Sequence, residues 1–199
     1  MEKRSAAALL AHLRLTPPVL QGIGAVAAIS ATMEFWAERA VWTLHNISPA
    51  GTRPSTDTKD ITSIIAMVRA GAVGVDEPLK QLIELWCEVA GTAVKCRNSI
   101  VHGLPHVPYA GGVVFGANLR WDNVERRRPY SHFHADERTL KMLSDALTVL
   151  VHVANYLAQR PPSANPDAIV TEMTRALKAM LLIVDELVDL TAAVNHDKY

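Results

Sequence analysis

Four long stretches of this chain repeat apolar residues at intervals of three and four, and each is fenced by proline, glycine or asparagine. That interval is the period of an α-helix with one buried face. Residues 18–46 follow Pro17 and carry Val19, Ile23, Val26, Met33, Trp36, Ala40 and Leu44 in this pattern. Residues 77–102 carry Leu79, Leu82, Ile83, Trp86, Ala90, Ala93 and Ile100, with Asp76 placed to cap them and Pro78 in the first turn. Residues 136–159 carry Leu140, Leu143, Leu147, Leu150 and Val151 behind a capping Asp136. Residues 167–195 carry Ile169, Met173, Leu177, Met180, Leu181, Val184, Leu187 and Val188. Shorter helices are predicted over 2–14 and 58–72, the latter with Ile61, Ile64, Ile65 and Val68 on one side.

Amphipathic helices without a strand-forming partner bury their stripes against one another, so the predicted class is all-α, an antiparallel bundle of four to five helices. Apolar residues are 49% of the 199, charged residues 20% and aromatics 6%, enough for a helical core and too apolar for bulk disorder. We expect one domain over 1–199, with 1–16 as a short N-terminal helix. The period is lost over 103–134, where Gly103, Pro105, Pro108, Gly111, Gly112 and Gly116 recur. This insertion precedes the fourth main helix, counting the 58–72 helix. It is expected to be irregular or a small β-hairpin, with Val113-Val114-Phe115 and Leu119-Arg120-Trp121 as its strands.

Lys and Arg number 20, as do Asp and Glu, so the whole chain exerts no net pull on nucleic acid or an anionic membrane. Any nucleic-acid binding must come from a local patch. Cys87 and Cys96 fall on one predicted helix, on opposite faces and roughly 13 Å apart along its axis, too far to bridge. Free thiols suit a cytoplasmic protein. Ala6–Leu10 is too short for a signal core, and no uninterrupted apolar run approaches the ~18 residues of a membrane span. The expectation is therefore a cytoplasmic protein with no membrane partner.

One segment breaks the pattern. Arg97 lies seven residues beyond Ala90, which lies seven beyond Ile83, so a guanidinium stands where the stripe wants an aliphatic side chain. An unpaired buried guanidinium is very costly, and such local inconsistencies gather at functional sites. Asn98 and His102 share a face four residues apart, and His102 lies in the last turn at the negative end of the helix dipole. A fixed cation, an amide and an imidazole thus fall within one short segment. The plainer alternatives are that Arg97 pairs with a carboxylate on a neighbouring helix, such as Glu34 or Glu38, that Asn98 bonds nearby backbone, and that His102 caps carbonyls.

The segment Arg97-Asn98-Ser99-Ile100-Val101-His102-Gly103 resembles the signature of the HEPN superfamily (higher eukaryotes and prokaryotes nucleotide-binding domain), an Arg and a His separated by four to six residues. Met33-Glu34-Phe35-Trp36 is similar to the early helix of bacterial members. The resemblance in architecture spans 18–195, and the match by residue spans 97–103. It implies a metal-independent endoribonuclease, without a cofactor, acting as a homodimer in which two Arg/His motifs face one cleft and leave cyclic phosphate ends on RNA. His102 would be the general acid/base, Arg97 the phosphate clamp and Asn98 a positioning group. A toxin, defence or stress role is implied, with an antitoxin or regulatory protein as partner. The alternative is a catalytically silent module for dimerisation or for binding nucleotide, RNA or protein; a third is an unrelated helical protein. Some family toxins carry a modified Tyr two residues after the His; here that position is Leu104.

Arg126-Arg127-Arg128 with Tyr130, His132, Phe133 and His134 could hold an RNA backbone and stack bases, although Asp122, Glu125, Asp136 and Glu137 flank it and favour a solvated loop. His102, His106, His132 and His134 lack the cysteines and fixed spacing of a metal site, and no metal is expected. Trp36, Trp42, Trp86 and Met33 read as core or dimer contacts.

Overall fold

The computed structural model describes residues 5–47, 56–106, 113–117, 133–160 and 165–196. Among these, six helices and three short strands occur: α1 (Ala6–His12), α2 (Pro17–Leu44), α3 (Ile61–Ala70), α4 (Glu77–His102), β1 (Gly103–His106), β2 (Val113–Ala117), β3 (Phe133–Ala135), α5 (Glu137–Gln159) and α6 (Pro166–His196). The class is the expected all-α bundle. The helix starts follow local chemistry. Asp76 accepts a hydrogen bond from the Leu79 amide at 3.1 Å. Asp136 accepts from the Thr139 amide at 2.7 Å while Thr139 Oγ1 accepts from the Asp136 amide at 2.9 Å, a reciprocal capping box.

The most extensive contact is between α2 and α5; α6 packs on both α4 and α5, and α3 bridges α2 and α4. Fully buried Met33, Leu82, Ile83, Trp86, Leu143, Leu147 and Leu177 mark the shared core. Trp86 is buried with its N–H satisfied, donating to Leu150 O at 2.9 Å and joining α4 to α5. Gly22 sets the approach of α2 to α5, because a Cβ there would lie 3.0 Å from Leu140 Cβ. Val188, expected in the α6 stripe, is exposed, because the core contact of that helix runs through Val184 and Leu187 instead.

The insertion forms a three-stranded antiparallel sheet in the order β1-β2-β3. Gly103 pairs with Ala117, and Phe115 pairs with both Pro105 and Phe133. This corrects the expected hairpin: Val113–Phe115 is a strand, but its partners are β1 and β3 at the two ends of the insertion. Alternation carries the sheet, since Val113, Phe115, Phe133 and Ala135 all turn into the core. Leu119-Arg120-Trp121 lies outside the described residues.

The expectation about apolar runs is also corrected. Helix α2 is long and apolar enough to cross a membrane by length and composition, with a mean hydropathy of 1.3 in a window only 22% buried. No charged residue occurs between Leu15 and Met33. One face of α2 packs on α5. The other exposes Leu20, Gly24, Ala27, Ala28, Ala31 and Phe35.

Candidate functional site

Helix α4 delivers the motif. Its core side runs from Leu82 through Trp86, Ala90 and Ala93 to Ile100, and this packing fixes the rotation that sends Arg97 toward α2. The Arg97 side chain is 19% exposed, and its Nη2 donates to Glu34 Oε1 at 2.8 Å. Its Nη1 donates to Asn98 Oδ1 at 2.9 Å, and its Nε is buried without a partner among the described residues. The carboxylate alternative is therefore realised, through Glu34 rather than Glu38. For Asn98, the side chain serves Arg97 rather than nearby backbone.

His102 stands apart. It is exposed on the last turn of α4, about one and a half turns beyond Arg97, and has no hydrogen bond or ion pair with a described residue. Gly103 follows in an extended conformation, φ −82° and ψ 158°, so the helix passes straight into β1 instead of turning through a left-handed cap. The structure thus joins Arg97, Asn98 and Glu34 and leaves the imidazole at the surface.

Beside the ion pair lies a groove of about 330 Å³ lined by Glu34, Phe35, Glu38, Thr56, Asp57 and Lys59. Thr56 is buried, accepts from Trp42 Nε1 at 3.1 Å and donates to Glu38 Oε1 at 2.8 Å. The groove thus carries three carboxylates and one lysine, with Glu34 already engaged by Arg97.

Arg126, Arg127, Arg128, Tyr130 and His132 lie outside the described residues. Phe133, placed by the sequence in a stretch that could stack bases or form a solvated loop, is instead 1% exposed, because its place in β3 turns it into the core. His134 Nε2 lies 3.7 Å from Asp136 Oδ2. No group of three metal-ligating side chains occurs among the described residues. Trp86 and Met33 are core residues, as expected. Cys87 and Cys96 are unbridged, and burial pushes both thiols up to about 11.

A second cluster was not singled out from the sequence. The Arg39 guanidinium lies 3.5 Å from the Phe35 ring centroid, 5.4 Å from Trp42 and 6.0 Å from Trp36. The signal was present as Phe35, Trp36, Arg39 and Trp42, all within three or four residues of the arginine on one helix.

Comparison with known proteins adds no relative. No family model matches the chain, and no curated protein or solved structure matches it either.

Proposed function

We propose that the chain is a HEPN-like, metal-independent endoribonuclease that works as a homodimer. The observation that carries this reading is the way Arg97 is held. Glu34 and Asn98 each take one N–H of the guanidinium, which fixes its direction while leaving further donors for a phosphate. A guanidinium aimed before the substrate arrives needs no reorganisation as charge builds up on phosphorus.

The chemistry requires two copies. The RNA 2′-oxygen attacks the adjacent phosphorus, the bond to the 5′-oxygen breaks, and a cyclic phosphate remains. His102 of one copy takes the 2′-hydroxyl proton, and His102 of the second protonates the departing 5′-oxygen. A solvent-facing imidazole on a single chain suits a site completed by another copy. The uncharged outer face of α2 gives that copy a surface, with Leu20 37% and Phe35 46% exposed and space for a Cβ at Gly24.

Incubation of the protein with mixed RNA in EDTA tests the reading. Cyclic-phosphate ends that disappear in Arg97→Ala and His102→Ala are expected, and intact RNA with the unaltered protein rejects it. One observation favours a second reading, a binding module without catalysis: the groove beside Arg97 holds Glu34, Glu38 and Asp57 against a single lysine, Lys59, which disfavours a phosphate there.

A further inference from the structure

The C-terminal part of α2 carries a second groove, of about 380 Å³, lined by Trp36, Arg39, Trp42, Ile47, Ala158 and Gln159. That volume suits one nucleotide unit, near the lower end of small-molecule sites. We propose that it binds one nucleotide of a single-stranded RNA, with the base against Trp36 and the phosphate on Arg39. The choice of RNA rests on the nuclease reading; the aromatic and cationic character of the groove does not.

Arg39 is the main argument. Its guanidinium lies over Phe35 with Trp42 and Trp36 nearby, and it forms no ion pair among the described residues. Its one hydrogen bond is a long one, from Nη1 to Phe35 O at 3.5 Å. The adjacent carboxylate, Glu38, accepts instead from Thr56. Stacking occupies the flat face of a guanidinium, whereas a phosphate binds its N–H edge, so the aromatic contacts leave the anion-binding edge available. A cation kept from carboxylates and packed among rings matches a ligand that is itself a flat ring joined to an anion.

The walls agree. Trp42 is 6% exposed with its N–H given to Thr56, so it contributes only apolar ring surface. Thr43 donates to Ala158 O at 2.7 Å, which ties α2 to α5 and sets the floor. Gln159 is exposed on the rim, where its amide offers the donor and acceptor a base edge needs.

The test uses the full chain and a fluorescent hexanucleotide with 2′-O-methyl sugars, which cannot be cleaved through the 2′-oxygen. Binding is followed by anisotropy and by tryptophan quenching across a salt series. Arg39→Gln should weaken binding roughly tenfold and flatten the salt slope by about one ion. Trp36→Leu should weaken it about 5- to 100-fold and remove most of the quench. Gln159→Glu, a rim change that leaves the core intact, should also weaken it and guards against misfolding of the other two. Affinity and salt slope unchanged in both Arg39→Gln and Gln159→Glu overturn the inference. Arg39-dependent binding without cleavage of ordinary RNA keeps this subsite and removes the nuclease. His102-dependent cleavage with binding indifferent to Arg39 and Gln159 does the reverse.

Discussion

Arg97 and Glu34 form one ion pair, but removing the two partners should have unequal effects. Arg97 is 19% exposed and Glu34 37%. In Glu34→Gln the mostly buried guanidinium, with its Nε already unpartnered, faces an uncharged amide. Exposed pairs are worth about 0–1 kcal/mol, and breaking a fully buried one costs about 3–5 kcal/mol. This half-buried pair falls toward the lower side after solvent screening, so Glu34→Gln should cost about 1–2 kcal/mol. For a chain of this size that lowers Tm by roughly 2–8 °C. In Arg97→Met the remaining carboxylate can hydrate, and the new side chain continues the apolar stripe from Ala90. That variant should lie within about 0.5 kcal/mol of the parent or be slightly more stable. Urea unfolding of the two single variants and the double variant measures both terms. Loss of stability in Arg97→Met equal to or greater than that in Glu34→Gln would show that the arginine is there to hold the bundle, and the argument that function retains it would fail.

His102→Ala should leave urea unfolding within about 0.5 kcal/mol, since the side chain is exposed, while lowering RNA cleavage about 10²- to 10⁴-fold. Gly22→Ala should be less stable than Gly24→Ala by about 1–3 kcal/mol in thermal unfolding, because only the first Cβ meets Leu140. Asp136→Ala should cost about 1 kcal/mol by removing the α5 capping box. Cys87 and Cys96, buried and with thiols raised to about 11, should react with a disulfide reagent at pH 8 only slowly until denaturant is added. Rapid labelling of the folded chain would contradict their burial.

The helices were legible because a period of three and four is dictated by burying one face, and the aspartate caps are local. Helix α4 was predicted over 77–102 and spans those same residues. The sheet was less so: β1 and β3 lie at the two ends of the insertion and pair with β2 between them, a longer-range choice that spacing does not encode. Arg97 stood out as a charge on an apolar stripe, but which of Glu34 and Glu38 would meet it depended on how α2 rotates against α4. Arg39 was missed because an arginine near tryptophans on a helix looks like an ordinary surface residue until it is seen to have no carboxylate partner among the described residues.

The direct passage from His102 into β1 has a mechanical consequence. With no spacer between helix and strand, the imidazole rides on a splint whose other edge is pinned by Phe115 and Phe133. A substitution at His102 itself leaves that anchorage in place. Loosening Phe133 would instead swing the imidazole from a distance, without touching the motif.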